Sequence, residues 1–371
     1  MAFPTSRDVF EQVTSSEGLF AAWQTFQRGK MSRHDVQRFW RRLESNIFAL
    51  RRDLLSGTYR HGAYDAFFVN DPKPRHIRKA QVRDRIVHQA LSSALSLIWE
   101  PRFIHDVYSA RLGKGTHFGV SRLWMMVRKV SRNFTTSCWA LKCDIRKLYD
   151  SMDQGILIGL IRQRVSDDRA MRFVEAVVSS FHTEGHPGKG VPIGNVTSQI
   201  FTNIYLNELD QFVKHELGVK SYGRFSDDFV LVSPHRSELL VWRTQIEDFL
   251  DSRLRLSLHP HKVSLRPLHQ GIDFLGYVLF PFHRGVRSST RRRMFRRLEH
   301  KALEVFRGKE ESVALAQAVA SYLGMLSHAN TFELRRMIEN SFCFYRRDIS
   351  TDAPQGIRAK GLRRSPTGRL K

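Results

Sequence analysis

The sequence is short of cysteine, of acidic residues and of long apolar runs. Only 3 of its 371 residues are cysteine. Cys138, Cys143 and Cys343 form neither a metal-spaced cluster nor an even disulfide set. No apolar run reaches about 18 residues, so a membrane-spanning helix is not expected. The first residues, MAFPTSRDVFEQV, lack the apolar core of a signal peptide. These shortages favour a reduced, cytoplasmic protein that does not cross a membrane.

The shortage of acidic residues leaves a large positive charge. Against 36 Asp and Glu stand 60 Lys and Arg, for a formal net charge of +24 and an isoelectric point near 10.5. Such a charge favours a polyanionic partner. Nucleic acid is the first candidate, because its phosphates attract many dispersed cations, and an anionic membrane surface is the alternative. The hydrophobic share, 42%, is enough to bury a sizeable core.

The pattern of apolar residues predicts an α+β fold. Residues 1 to 60 are basic, and their apolar positions recur at helical spacing, as in Trp40, Leu43, Ile47 and Leu50. A strand-like stretch breaks at two prolines, and a helix is expected from about Asp84. Further on, strands alternate with helices and end in short strands, which predicts a mixed or antiparallel sheet. After residue 290 a basic amphipathic helix is expected, and the tail, 346–371, is predicted to be flexible.

Two acidic sites adjoin predicted strands. The segment CWALKCDI alternates like a half-buried strand and carries Asp144 near its end. In FSDDFVLV, residues 225–232, Asp227 and Asp228 precede an apolar run typical of a buried strand. Adjacent carboxylates repel each other and cost energy to desolvate. A hairpin turn would explain them without any function, since Asp is a common turn former.

A cation site is the alternative explanation. If the two strands are neighbours, three carboxylates converge at one edge of a sheet. Magnesium is held by a few carboxylates together with substrate phosphates. Two such ions can stabilise both the attacking and the leaving oxygen of a phosphoryl transfer. Each carboxylate taken alone is more often structural, and spacing does not demonstrate that they meet.

Five sequence blocks, in order, resemble the palm motifs of reverse transcriptases. They are KCDIRKLYDSMD, GKGVPIGNVTSQ, RFSDDFVLV, HPHKVSLRP and GIDFLGYVLF. Upstream, PRHIRKAQVRDRIVHQAL and PRFIHDVYSARLGKGTHFGV resemble the fingers. The resemblance covers roughly residues 60 to 345 and implies a right-hand polymerase with fingers, a ferredoxin-like palm and a helical thumb. It places N-terminal helices and fingers at 1–135, the palm at 136–285 with a helical insertion at about 156–189, and the thumb at 286–345.

The resemblance assigns roles to matching residues. Asp144 and Asp227 would ligate two Mg²⁺ ions, with Asp228 beside them and the backbone carbonyl of Ile145 facing a metal. Binding of the incoming dNTP is implied for Arg75, Tyr149, Ile193, Gly194, Gln199 and Lys262. Contact with nucleic acid is implied for Phe225, for Gly276 in a primer-grip-like segment, and for Arg292, Arg293 and Arg296 of the thumb.

Several of these roles have plainer alternatives. Tyr149 matches the aromatic steric gate that favours dNTP over rNTP, but it could equally anchor a helix start. The planar guanidinium of Arg75 suits a base and a phosphate. Lys262 is a candidate acid for the pyrophosphate leaving group, or else a solvated loop lysine. A cationic thumb helix can follow a template–primer backbone, although a charged helix face is usually just solvated.

Departures from the common pattern point to a subtype. Most reverse transcriptases have Pro-Gln-Gly where this chain has Pro192-Ile193-Gly194. The string I-G-N-x-T-S-Q and the thumb string SYLGMLSHAN are similar to those of diversity-generating retroelement reverse transcriptases. Such enzymes copy a template RNA into cDNA with errors at adenines and work with a small basic accessory variability protein. Losing a glutamine amide worth about 1–3 kcal/mol would loosen base selection.

Other interpretations remain open at the level of sequence. The chain could be a group II intron-like, retron-like or defence-type reverse transcriptase of ordinary fidelity. Intron enzymes usually carry a maturase region after the thumb, and neither that region nor an endonuclease or RNase H domain is expected here. A non-catalytic RNA-binding protein on a polymerase fold is the alternative from another class, and the intact Asp144, Asp227 and Asp228 argue against it.

Overall fold

The structure is a computed structural model that describes residues 8–70 and 74–342. The chain divides between Leu275 and Gly276 into two compact units. The predicted tail, 346–371, lies outside the described residues, as does Cys343. The proposed limits of fingers, palm and thumb stay predictions.

The first unit begins with four helices: α1 (Asp8–Thr14), α2 (Ser16–Gln27), α3 (His34–Trp40) and α4 (Leu43–Leu55). Apolar side chains on their inner faces, including Leu19, Trp23, Ile47 and Leu50, are buried. The helical prediction for residues 1 to 60 is confirmed for the part that the structure describes.

A β-hairpin and two helices come next. The hairpin strands are β1 (Asp65–Val69) and β2 (Arg75–Lys79), paired antiparallel. The sequence does not predict β2, because RHIRK is too polar to resemble a strand; pairing with β1 forms it. The following helices are α5 (Val82–Trp99), which starts slightly before the expected Asp84, and α6 (Thr116–Val130).

A four-stranded antiparallel sheet forms the centre of the first unit. Its strands and the helices between them are β3 (Trp139–Asp144), α7 (Leu148–Ser151), α8 (Gln154–Arg162), α9 (Asp168–Val178), α10 (Val196–Gln211), β4 (Tyr222–Phe225), β5 (Asp228–Ser233), α11 (Arg236–Leu254) and β6 (Ser264–Pro267). The short strand β7 (Ile272–Phe274) follows outside this sheet. The strand order is β4-β5-β3-β6. The path β3-α10-β4-β5-α11-β6 is the ferredoxin-like βαββαβ arrangement, which confirms the predicted α+β fold.

Burial on both faces sets the sequence of the central strands. β5 is an unbroken apolar run because Phe229, Val230, Leu231 and Val232 are all buried. β3 alternates in sequence, but Ala140 on its second face is buried too. The prediction of a half-buried strand is therefore wrong for β3, because neighbouring elements cover both of its faces.

Helix α10 is buried on nearly every side. The sequence predicts one continuous helix up to Gly218. In the structure, α10 is followed by a π-helical turn, Phe212–Glu216, before Gly218, which has φ +66°. Helix α10 begins directly after the segment Ile193–Asn195 and contributes buried side chains to the core.

The second unit contains a hairpin and three helices: β8 (Tyr277–Phe280), β9 (His283–Val286), α12 (Ser288–Phe306), α13 (Ser312–Leu326) and α14 (Phe332–Phe342). Met294 and Leu298 of α12 pack into its core, which confirms the predicted amphipathic helix. Among the described residues, no helix is both long enough and apolar enough to cross a membrane.

Candidate active site

Three carboxylates meet at one edge of the central sheet, as the sequence predicts. The register of β3 and β5 places Asp144 opposite Asp228. Asp227 lies with Ser226 in the two-residue turn between β4 and β5, and its carbonyl accepts a hydrogen bond from the backbone N–H of Ile145 at 3.0 Å. The turn alternative and the cation-site alternative are therefore compatible, because the aspartates lie at a turn that faces a third carboxylate.

The turn holds a backbone conformation that few residues adopt. Ser226 has φ +55°, in the left-handed region that favours glycine. Its N–H donates to the Ser109 hydroxyl at 3.0 Å, and its carbonyl accepts from Arg224 at 3.2 Å. A residue in this region persists only where its surroundings hold it, and such residues cluster at functional sites.

Charge at this edge is only partly balanced. Burial, with the nearby charges of Asp144 and Asp228, raises the pKa of Asp227 to about 6, and Lys262 opposes the rise. The ammonium of Lys262 lies 2.7 and 2.8 Å from the two oxygens of Asp144. Lys142 lies 3.5 Å from Asp228. Two lysines thus offset part of the negative charge of Asp144 and Asp228, while the pKa of Asp227 stays raised.

These residues fit a hard divalent cation. The donors are carboxylate oxygens, and the pKa of Asp227 is raised first by burial and then by the neighbouring charges of Asp144 and Asp228, all of which a bound cation would offset. Over residues 8–70 and 74–342, no group of three or more Asp, Glu, His and Cys side chains is placed so that it could hold a metal ion by itself. Magnesium needs fewer protein ligands, because it keeps waters and substrate phosphates among its ligands.

A cavity of about 560 Å³ opens beside Asp227. This volume suits a small-molecule ligand. Seven residues predicted from sequence line it: Arg75, Tyr149, Ile193, Gly194, Gln199, Phe225 and Asp227. The hairpin strand β2, helix α7, the start of α10 and the β4–β5 turn each contribute a wall, and we refer to this cavity as the cleft.

Tyr149 bridges two walls of the cleft. Its hydroxyl lies 3.4 Å from the Ser226 hydroxyl, and its backbone carbonyl accepts from the N–H of Val191 at 2.8 Å. Both contacts fix the ring beside the turn that carries Asp227. The position suits a side chain that limits the size of a ligand in the cleft.

The segment Ile193–Asn195 is bonded to β2 by its backbone and by a side chain. The Ile193 carbonyl accepts from the N–H of Arg78 at 3.0 Å. The Asn195 amide donates to the Arg78 carbonyl at 2.8 Å and accepts from the N–H of Ala80 at 3.3 Å. The buried Asn195 therefore ties the wall that carries Ile193 to the strand that carries Arg75, a role that sequence reasoning missed.

Gly194 cannot be another residue without strain. Its φ is +113°, and a Cβ there would lie 2.8 Å from the Cγ2 of Ile77 in β2. The close approach of β2 to the start of α10 thus explains the glycine physically.

Other predicted site residues lie away from the cleft lining. Lys262 lies in an exposed turn, and its ammonium is paired with the carboxylate of Asp144. The side chain of Ile145 is buried, and Asp144 and Asp228 lie on the sheet edge. In the second unit, Gly276 has φ +90°, and three arginines of the predicted thumb, Arg292, Arg293 and Arg296, are exposed on α12.

Sequence reasoning also missed a buried ion pair beneath the turn. Arg224 and Asp210 are fully buried and joined by two hydrogen bonds of 2.8 and 2.6 Å. The sequence signal for this pair is an arginine inside the mostly buried strand YGRF. In the sequence, this arginine resembles the other basic residues.

Comparison with known proteins supports one family. Residues 70–279 match the model of the family described as "Reverse transcriptase (RNA-dependent DNA polymerase)". The protein YkfC of Escherichia coli (strain K12) is 26% identical over 277 residues, which are 64% of this chain and 72% of YkfC. The group II intron-encoded protein LtrA of Lactococcus lactis is 22% identical over 303 residues, 63% of this chain and 49% of LtrA. The chain thus spans about half the length of LtrA.

A solved structure shows a similar fold. Telomerase from Candida albicans, in complex with a TWJ fragment of telomeric RNA, matches with a TM-score of 0.51 and 12% identity. The match covers 85% of this chain and 60% of the telomerase chain. At this identity the likeness concerns the fold alone.

Proposed function

The chain belongs to the reverse transcriptase family, and we propose that within this family it diversifies a target gene by copying a template RNA into cDNA with errors at adenines. As a family member it is an RNA-directed DNA polymerase. One observation carries the finer proposal: an apolar residue, Ile193, lines the nucleotide-sized cleft where most of these enzymes carry glutamine.

The proposed chemistry uses the sheet edge and the cleft together. Asp144 and Asp227, with Asp228 and the Ile145 carbonyl, would hold two Mg²⁺ ions. Such ions would supply activation of the primer hydroxyl and neutralisation of the charge that develops on the transferred phosphoryl group. Reverse transcriptases generally use divalent metal ions, and the carboxylate donors of this edge suit magnesium.

The remaining groups bind the incoming dNTP, exclude ribonucleotides and donate a proton. Arg75 contacts the base and phosphates of the incoming dNTP through its planar guanidinium. The ring of Tyr149 excludes a ribonucleotide by contact with its 2′-hydroxyl. Lys262, held at 2.7 Å from Asp144, carries a proton on Nζ that can pass to the departing pyrophosphate.

The proposed low fidelity comes from the apolar side chain of Ile193 and not from a mobile backbone in the cleft wall. The backbone of Ile193 is fixed by its bond from Arg78, and the adjacent Asn195 is buried and bonded on both sides of its amide. The cleft wall is therefore rigid, but isoleucine cannot donate a hydrogen bond to the nucleotide. A missing polar constraint of this kind lowers discrimination by roughly tenfold to a hundredfold.

Sequencing of cDNA tests this proposal. The full chain would copy an RNA that contains all four bases at equal frequency, and each product would be compared with its template. We expect wild-type errors to concentrate at template adenines and Ile193→Gln to reduce them by about tenfold or more. Ile193→Leu is the matched control, because it keeps an apolar side chain and should keep the errors. A uniformly low error rate in the wild type would refute the subtype.

A group II intron-like enzyme of ordinary fidelity is the second candidate. It is favoured by the similarity to LtrA, which is named as intron-encoded. The same sequencing experiment separates the two, since this candidate predicts few errors at every template base. A retron-like enzyme would also copy faithfully, a defence-type enzyme would make DNA without the RNA, and a non-catalytic RNA-binding protein would make none.

Partners and location follow from the same proposal. The substrates are a template RNA, the nascent cDNA and dNTPs, and the protein works in the cytoplasm. A small basic accessory variability protein is its proposed partner, with RNA bridging two basic surfaces, given a net charge of +24 here. Ribonuclease treatment should then weaken their co-purification.

A further inference from the structure

We propose that the buried pair Asp210 and Arg224 positions the Ser226–Asp227 turn and couples it to helix α10, which lines the nucleotide cleft. The inference rests on the proposed role of Asp227 in the metal site. It makes Asp210, Arg224 and Asn203 positioning residues, since they act through the turn and not on the substrate.

The two charges of this pair are buried completely, away from solvent. Arg224 and Asp210 are both fully buried, and the guanidinium donates Nε to Oδ1 at 2.8 Å and Nη2 to Oδ2 at 2.6 Å. The Tyr222 hydroxyl donates to the same carboxylate at 2.7 Å. A buried ion pair is a weak source of stability, because desolvation offsets its attraction and apolar residues of similar volume often replace it without loss. Its presence therefore calls for another reason.

The third guanidinium nitrogen supplies that reason. Nη1 of Arg224 lies 3.2 Å from the carbonyl of Ser226 and 3.4 Å from Oδ1 of Asn203. Asn203 in turn donates to the backbone carbonyl of Ser109 at 2.9 Å, and the Ser109 hydroxyl accepts the N–H of Ser226. Both the N–H and the carbonyl of Ser226 are thus held by groups that α10 fixes.

This clamp acts on the peptide that leads into Asp227. The Ser226 carbonyl belongs to the Ser226–Asp227 peptide bond, so its direction sets where the Asp227 backbone and carboxylate lie. Ser226 has φ +55°, a conformation that needs such support. Only arginine has a planar fork that binds both carboxylate oxygens while a further nitrogen points at a carbonyl.

The same helix face reaches the cleft. Gln199 lines the cleft, Asn203 lies one turn further along α10, and Asp210 lies two more turns along. Residues at these spacings share one face of a helix. Helix α10 therefore joins the nucleotide wall to the metal-binding turn as one rigid element, which keeps the incoming nucleotide and Asp227 in register.

The test replaces the whole pair. In the full chain, Arg224→Met with Asp210→Leu removes both charges together, so neither is left buried alone. We expect the variant to fold with a modestly lowered melting temperature, because the buried Tyr222 hydroxyl loses its acceptor. The Ser226 amide should exchange with solvent at least about tenfold faster in the metal-free protein. Mg²⁺ affinity, measured by calorimetry, should fall by about tenfold to a hundredfold, and kcat in primer extension by about a hundredfold.

A second bidentate pair in the same unit is the matched control. Arg169 donates to both oxygens of Asp167 at 3.2 and 3.0 Å, and neither residue bonds to Arg224, Ser109 or Ser226. Arg169→Met with Asp167→Leu should leave Mg²⁺ affinity and exchange at Ser226 unchanged. Equal effects of the two double variants would reduce the Asp210–Arg224 pair to an ordinary structural one.

The remaining outcomes also decide. Wild-type exchange at Ser226 together with wild-type Mg²⁺ affinity in the Arg224→Met, Asp210→Leu protein would overturn the inference. If that protein does not fold, Arg224→Lys decides, because it keeps the charge and loses the fork; unchanged exchange at Ser226 would again overturn it. A wild type that extends no primer would refute the proposed function, while the exchange measurement would still judge the clamp.

Discussion

At the scale of single residues, Asp227 holds a charge that its surroundings disfavour. Burial, and then Asp144 and Asp228, raise its pKa to about 6, against the opposing effect of Lys262. An aspartate in the unfolded chain has a pKa of about 3.9. The folded, metal-free protein therefore binds this proton more tightly than the unfolded chain. The contribution of this one carboxyl to stability is therefore full below about pH 4 and is lost as the pH rises through 6.

Asp227→Asn should stabilise the metal-free protein. At pH 7.5 we expect its free energy of unfolding to exceed that of the wild type by roughly 2 kcal/mol, because the penalty for ionisation is gone. The advantage should disappear near pH 4, where the wild-type carboxyl is protonated. Denaturant unfolding in a chelating buffer at both pH values measures it, and the exposed Asp248→Asn is the control. Equal stabilities of wild type and Asp227→Asn at pH 7.5 would contradict the charge account.

Tyr149 should set the choice of sugar. Removing the ring in Tyr149→Ala should increase incorporation of ribonucleotides by about tenfold to a hundredfold, because nothing then meets the 2′-hydroxyl. Tyr149→Phe keeps the ring and loses only the 3.4 Å contact with Ser226, so it should select dNTP as the wild type does. Single-nucleotide extension with each substrate gives the ratio. An unchanged ratio in Tyr149→Ala would remove Tyr149 as the gate.

Single residues also show where sequence is informative. Asp144, Asp227 and Asp228 could be identified because carboxylates beside apolar strands are rare and the surrounding strings are distinctive. Arg224 could not, because its burial comes from elements distant in the chain and an arginine in sequence resembles any other. Lys262 was identified, but its ion pair with Asp144 depends on the return of the chain to β6.

At the scale of elements, the contact between β2 and the start of α10 shapes the cleft. Gly194 lies at this contact with φ +113°, and a Cβ there would lie only 2.8 Å from the side chain of Ile77. The sequence predicts α10 from its apolar residues, yet it does not predict β2, which exists through pairing with β1. The cleft therefore could not be built from sequence patterns alone, although most residues that line it were identified by resemblance.

Gly194→Ala should damage this contact. We expect a loss of roughly 1–3 kcal/mol in the free energy of unfolding, from the left-handed backbone and from the clash with Ile77. The control is Gly159→Ala in α8, where a Cβ meets nothing within 4 Å and φ is ordinary; it should be neutral or slightly stabilising. Thermal unfolding of both variants measures the difference. Similar melting temperatures would show that β2 does not press on Gly194.

At the scale of the whole molecule, both the net charge and the family indicate a protein that binds nucleic acid. A net charge of +24 suits a polymerase that holds nucleic acid by its backbone. The order of the sequence motifs was sufficient to predict the family and the ferredoxin-like sheet. Four of the five motifs follow the path β3-α10-β4-β5-α11-β6 in order, on β3, at the start of α10, on β4 and β5, and on β6, and the fifth lies on β7 and β8. The division between Leu275 and Gly276 was not foreseen, because the GIDFLGYVLF segment resembles a continuous strand pair.

The exposed arginines of α12 should contribute to binding in a salt-dependent way. Replacing Arg292, Arg293 and Arg296 by Gln should reduce the slope of log affinity for a template–primer against log salt by about 2, at roughly 0.7–0.9 for each lost phosphate contact. A triple variant with the same loss of charge at exposed positions of the first unit, Arg52, Arg172 and Arg253, should change the slope much less. Fluorescence anisotropy at several salt concentrations measures both slopes. Equal changes would mean that only total charge matters.

The central claim is that the carboxylates meeting at the ends of β3 and β5 carry out RNA-directed DNA synthesis. Primer extension on an RNA template with Mg²⁺ and dNTPs tests it most directly, with wild type, Asp227→Asn and Asp248→Asn compared at equal concentration. The account predicts extension by the wild type and by Asp248→Asn, and a loss of at least about a thousandfold in Asp227→Asn. Extension by Asp227→Asn at the wild-type rate would contradict it.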